Sequence, residues 1–155
     1  MREWSVNTFM KTDKQSPQIL NDFLAYLYTV KGKSQKTAHE YYLDLRMFFR
    51  FIKQQRGLAD DIPFDEIPIT DIDIEFIRTI TLSDAYAFLM YTAQDRLKHN
   101  NSDHSDVGLL STSRARKVSA LRSFFKYLTD KAHLLSHNPI QNLEYPSVRR
   151  SLPKY

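Results

Sequence analysis

A chain of 155 residues with ten phenylalanines, nine tyrosines and 42% apolar residues can bury one real core, and it is too apolar for a disordered polyelectrolyte. The absence of cysteine excludes disulfides, thiolate metal sites and cysteine nucleophiles. A net charge of +4 with a pI near 9.2 favours anionic partners only weakly.

Only three glycines occur, and no regular run of short alternating strands, so the expected fold class is all-α. No apolar stretch approaches the roughly 20 residues that cross a bilayer, and the first residues lack a signal-peptide core. The expectation is a cytoplasmic protein with no membrane partner.

Residues 1–15 read as an N-terminal arm, with Trp4, Val6, Phe9 and Met10 as packing contacts. Ser16-Pro17 opens the first helix, the serine suited to cap free N–H groups and the proline to the first turn. Ile19, Leu20, Phe23, Leu24 and Leu27 recur at three- and four-residue spacing, and Gly32 marks the exit.

The second helix begins at Ser34 and stops at Gly57. Its apolar face is Ala38, Tyr41, Tyr42, Leu45, Phe48, Phe49 and Ile52. Beside that stripe fall Gln35, His39, Arg46, Arg50 and Lys53, which predicts a basic flank along the helix.

Residues 58–80 carry Pro63 and Pro68 amid alternating isoleucine and acid, and read as a loop with a short helix around Asp71 to Arg78; a strand is the alternative. Thr81-Leu82-Ser83-Asp84 resembles a capping box with Asp in place of Glu, and starts a third long helix. His99 to Gly108 is a surface loop.

A fourth long helix starts at Ser111 or Ser113 and buries Val118, Leu121, Phe124, Phe125 and Leu128. Thr112, Ser113, Arg116 and Ala120 are expected to project away from that stripe. Asn138-Pro139 breaks the chain before a short helix with Ile140 and Leu143. Residues 145–155 read as an extended linker.

Charge is polarised along this plan. Residues 31–57 hold seven basic side chains against Glu40 and Asp44, and residues 111–131 hold six against Asp130. Residues 58–84 hold eight acids against Arg78 alone.

No Gly-rich phosphate loop, Gly-x-Ser-x-Gly elbow or His-Glu-x-x-His motif is present, so no cofactor, metal or catalytic residue is expected. His133 and His137, spaced to share a helix face, lack partner ligands. Asp71, Asp73 and Glu75 suit a helix start, a solvated loop or the neutralising of a basic neighbour better than a magnesium site. Most aromatic rings lie at core spacing, with Tyr42 and Tyr127 the more peripheral. For the basic helices, a solvated bundle face competes with a polyanion-binding one. Hydroxyls and free amides at a helix start favour phosphate, a small Ala120 admits a backbone, and arginine can read guanine in the major groove.

The run Ser34-x-x-Thr37-x-x-x-Tyr41-x-x-Asp44-Leu45-Arg46-x-Phe48-x-x-Phe51 comes far upstream of Val118-Ser119-Ala120-Leu121-Arg122-Ser123-Phe124-Phe125-Lys126-Tyr127-Leu128. In that order, with Asn138-Pro139-Ile140, Tyr145-Pro146 and Leu152-Pro153-Lys154-Tyr155, these patches resemble the N-terminal core-binding domain of tyrosine recombinases, the phage-integrase and Xer-like group. The resemblance implies a four- to five-helix SAM-like bundle over residues 16–144 with a linker toward a catalytic domain. It implies half of a clamp on double-stranded DNA, used in integration or recombination, with other recombinase protomers as partners.

By position, the resemblance points to Ser34, Lys36, Thr37, His39 and Arg46 on the second helix and to Thr112, Ser113, Arg116 and Lys117 on the fourth. Arg116 is assigned to a base edge or nearby phosphate, the others mainly to phosphates. The family's tyrosine nucleophile and its partners lie in a domain absent from this sequence, and Tyr155 falls in the linker. The expectation is therefore a chain that binds DNA without cutting it. The rival readings are a helical protein-interaction module without nucleic-acid binding, docking through the first helix, the arm or the acidic segment, and a small enzyme without a recognisable motif.

Overall fold

The computed structural model describes residues 16–99 and 107–147; the expected arm of residues 1–15, His104 and residues 148–155 of the expected linker lie outside them. Among the described residues there are five α-helices and no strand: α1 Gln18–Thr29, α2 Gln35–Gln55, α3 Ile74–Arg78, α4 Leu82–His99 and α5 Val107–Lys126. The architecture is an all-α bundle.

α1 buries Leu20, Phe23, Leu24 and Leu27, the expected stripe. Pro17 occupies the N-cap position, and the Ser16 hydroxyl is buried without a partner, so the serine does not cap. After the helix, Gly32 takes φ +66°, a left-handed geometry that costs glycine little, and the Lys33 N–H donates to the Leu27 carbonyl at 2.9 Å.

α2 runs 21 residues without glycine or proline. Ser34 caps it, its Oγ accepting from the Thr37 N–H at 3.1 Å, and the helix yields at Gly57, φ +68°. The expected face is buried apart from half-exposed Tyr41, and Phe51 joins it. Tyr42, expected near the periphery, is only 4% exposed.

The basic flank of α2 is not continuous, because its C-terminal half is spent on the acidic segment. Arg50 Nε donates to the Ile67 carbonyl at 3.0 Å, and Lys53 Nζ donates to the Pro68 carbonyl at 2.7 Å and pairs with Asp71. Lys53 is 6% exposed, so it is a buried anchor and not a solvated charge. Between these ties the isoleucines Ile67, Ile69, Ile72, Ile77 and Ile80 enter the core while the acids stay outside. The segment is thus a loop with a short 3-10 turn at Phe64–Glu66 and the five-residue α3, started by Asp73 Oδ1 accepting from the Phe76 N–H at 2.9 Å. Its acids partly neutralise a basic neighbour, one of the expected alternatives.

The capping box forms reciprocally. Thr81 N–H donates to Asp84 Oδ2 at 2.9 Å, and Asp84 N–H donates to Thr81 Oγ1 at 3.2 Å. Arg56 reaches over from the end of α2 to the same carboxylate at 3.3 Å and to Thr79 Oγ1 at 2.6 Å.

α5 begins at Val107, one turn or more before the expected Ser111 or Ser113. It packs on both α2 and α4, which explains why it is buried around so much of its circumference. Val118, Leu121, Phe124 and Phe125 are in the core as expected, but so is Ala120, at 0% exposure. Its small side chain admits α5 to the bundle interior and offers nothing to an outside ligand. Edge-on rings knit the layers: Phe124 meets Phe23 at 5.1 Å and Phe49 at 6.0 Å, and Phe48 meets Phe88 at 5.2 Å.

A π-type turn, Tyr127–Lys131, follows α5, and His133 sits at φ +53° beyond it. His133 and His137 therefore share no helix face. Ile140 and Leu143 are buried, but in turns, with Asn138 Oδ1 accepting from the Ile140 N–H at 3.0 Å, so the expected short helix does not form. The first residues after it fold back: Tyr145 O–H lies 3.0 Å from Ser119 Oγ, and the Arg122 guanidinium is 5.5 Å from the Tyr145 ring centre while also donating to the Leu143 carbonyl.

Candidate nucleic-acid interface

α2 and α5 are packed neighbours, and across the seam between them Glu40 and Asp44 of α2 meet Arg116 and Lys117 of α5, whereas at about 100° per residue His39 and Arg46 fall on the far side of α2 from Asp44. On α2, Ser34, Lys36 and His39 are exposed, while Thr37 and Arg46 are half-buried. Ser34 Oγ, besides its capping role, donates to Thr37 Oγ1 at 3.0 Å. The Arg46 guanidinium stands 5.5 Å from the Tyr42 ring centre, a cation–π geometry that holds the charged end of the side chain over the ring.

On α5, Thr112 is exposed, Ser113 half-buried, and Lys117 buried at 8% exposure. Because the helix already starts at Val107, Thr112 and Ser113 lie in its second turn. Their hydroxyls are not at a free helix start, so the expected partnership with unpaired amides is not available there.

Arg116 is the most constrained of the set. Its Nε donates to Asp44 Oδ2 at 2.8 Å and its Nη2 to Asp44 Oδ1 at 2.9 Å, a parallel fork. Lys117 Nζ reaches the same Oδ1 at 3.0 Å and Ser113 Oγ at 3.4 Å. Asp44 is 3% exposed, so one buried carboxylate joins two cations from the neighbouring helix. The remaining Nη1 of Arg116 lies 4.0 Å from Glu40 Oε2, in a side chain that is 38% exposed. The hydrogen bond that Arg116 donates to Asp44 first, with the negative charges of Asp44 and Glu40 adding, raises the Arg116 pKa against the opposing effect of burial.

The sequence pattern placed Asp44 within a resemblance but gave it no role. The available signal was its register: the residue sits between Tyr41 and Leu45, three positions after Tyr41 and four before Phe48, so its carboxylate is directed inward with the apolar face. A lone acid at such a position needs a cationic partner. Tyr41, one turn earlier, has its pKa raised, chiefly by burial, with a hydrogen bond to Ser119 opposing the shift.

Among the described residues no group of three or more histidine, aspartate or glutamate side chains is placed to hold a metal ion, and no helix is long and apolar enough to cross a membrane.

No protein-family model matches the sequence, and no solved structure does. Curated proteins do. The tyrosine recombinase XerC of Caldanaerobacter subterraneus subsp. tengcongensis is 42% identical over 160 residues, covering all of this chain and 42% of that protein. The tyrosine recombinase XerD of Listeria monocytogenes is 29% identical across 88% of this chain and 36% of its own length. The tyrosine recombinase XerC of Herpetosiphon aurantiacus is 30% identical across 88% and 35% respectively. The chain spans less than half the length of these relatives.

Proposed function

Taking as premise that the chain is a homologue of Xer tyrosine recombinases along its full length, we propose that it is their duplex-DNA-binding part, one half of a clamp on a recombination site. The strand breaking and rejoining would be carried by the part of the relatives that this chain does not span. Partners are then double-stranded DNA and further recombinase protomers assembled on it.

The observation that supports this reading is the packing of α2 against α5, with Ser34 exposed at the cap of α2, Lys36, His39 and Thr112 exposed on the two helices, and the Arg116 guanidinium partly exposed at their seam. Lys36 and the hydroxyls act on phosphates, which fix register without reading sequence. Arg116 and Lys117 act less as free charges than their number suggests, because Asp44 and Glu40 oppose them. Affinity for non-specific DNA is accordingly modest and strongly salt-dependent.

A fluorescence titration of the chain with a labelled mixed-sequence duplex at two salt concentrations tests this. With roughly three to five phosphates neutralised, the log–log slope is about −3 to −5. Replacing Lys36 with alanine weakens binding and takes about one unit from that slope. No binding at low salt, or binding indifferent to Lys36→Ala, rejects the assignment.

A further inference from the structure

An arginine guanidinium carries five N–H donors in a rigid plane, with separate edges that can be engaged independently. In Arg116 the inner edge, Nε with Nη2, is occupied by Asp44 at 2.8 and 2.9 Å. Asp44 itself has no freedom to wander: it is buried on α2 and also accepts from Lys117 at 3.0 Å. The Arg116 side chain has therefore already lost much of its rotamer freedom before any ligand arrives.

The outer edge is different. Nη1 and Glu40 Oε2 are 4.0 Å apart, beyond a normal N–H···O separation, so that carboxylate attracts the guanidinium without bonding to it. Both side chains are about one-third exposed. An accessible, held donor edge with a loosely placed internal anion beside it is suited to receiving an external pair of acceptors.

We propose that Asp44 is a positioning residue that presents the outer edge of Arg116 to a pair of acceptors on duplex DNA, and that Glu40 is the internal carboxylate which the DNA displaces. This rests on the duplex-binding reading above. The acceptors share one chemistry, two lone-pair atoms side by side, found both on the guanine O6/N7 edge and on a phosphate. Glu40 then has two effects. It keeps the seam electrically balanced in the free protein, and it penalises any duplex that cannot offer Arg116 a better partner.

The test is a double-mutant cycle on the full 155-residue chain, read by fluorescence anisotropy with a mixed-sequence duplex and with a duplex selected from a randomised pool. The variants are Glu40→Gln, Arg116→Ala and the two together, with thermal unfolding of each. Glu40→Gln is predicted to tighten binding several-fold, and most of that gain is predicted to vanish in the Arg116→Ala background. Arg116→Lys, which keeps the charge but not the fork, lowers the preference for the selected duplex by on the order of tenfold if the acceptor is guanine. If the acceptor is a phosphate, Arg116→Ala instead removes about one unit of salt slope and leaves the preference intact.

Failure of the wild-type chain to bind any duplex overturns the duplex-binding reading, and this proposal with it. Binding by the wild type with no gain from Glu40→Gln, or a gain undiminished when Arg116 is alanine, overturns this proposal alone. Glu40 is one-third exposed and lies outside the Asp44 fork, so the decisive variant leaves the bonds of the buried cluster in place.

Discussion

Arg116 and Asp44, 72 residues apart in the chain, meet through two parallel hydrogen bonds of 2.8 and 2.9 Å and so fasten α5 to α2. The arrangement is a clip before it is anything else. Two cations and one nearly inaccessible carboxylate share the seam, and each needs the others to offset the cost of leaving water.

Asp44→Ala should destabilise the fold by about 2–4 kcal/mol, below the full range for a broken buried pair because the Arg116 side chain retains access to water. Asp44→Asn, which keeps the shape, should cost less. Urea unfolding monitored by circular dichroism gives both values; equal stability of Asp44→Ala and wild type contradicts the clip.

Lys53→Met should loosen the acidic segment and leave the rest of the bundle in place. It removes the donor to the Pro68 carbonyl and the partner of Asp71, at a cost of about 1–3 kcal/mol. Hydrogen exchange should speed up first at residues 67–72, and uniform acceleration across all helices would count against a local anchor.

Ala120→Leu should cost about 1–3 kcal/mol or more, since the position is fully buried between packed helices and added methylenes must displace neighbours. The same change on a surface facing a ligand would be nearly neutral for folding. Thermal melting of the variant separates the two.

Alkaline pH should weaken the fold beginning near the ordinary tyrosine value. Burial raises the pKa of Tyr41 and Tyr127 above 10.0, so above pH 10 the unfolded chain releases these protons while the folded one retains them. Their contribution is whole below that value and is lost as pH rises through the folded pKa. Tyr41→Phe and Tyr127→Phe should each flatten the decline in stability between neutral pH and pH 11. Arg116, raised from an already high value by Asp44, contributes no titration in that window.

Helix placement was legible from periodicity because buried faces repeat at helical spacing, as in Leu20, Phe23, Leu24 and Leu27. Caps were legible where short polar side chains meet backbone N–H groups, as at Ser34 and in Thr81 with Asp84. What escaped was tertiary. Ala120 was expected outside because a helix with one apolar stripe has an outer face, whereas α5 is covered from more than one side. The start of α5 is misread because several capping residue types compete: Asp106 stands directly before Val107, but Ser111 and Ser113 offer the same signal nearer the apolar run, and the true start leaves Thr112 and Ser113 away from the helix terminus. Arg50, Lys53, Arg116 and Lys117 counted as charge in the sequence, and only three-dimensional packing reveals how much of it is matched internally.

The most direct measurement is backbone amide chemical-shift mapping of the chain on addition of a mixed-sequence duplex at low salt. The seam account predicts the largest changes at Ser34–Glu40 on α2 and Thr112–Arg116 on α5, fading as salt is raised. Changes confined to α1 or to the acidic segment at 58–80, with both ends of the seam silent, would contradict it.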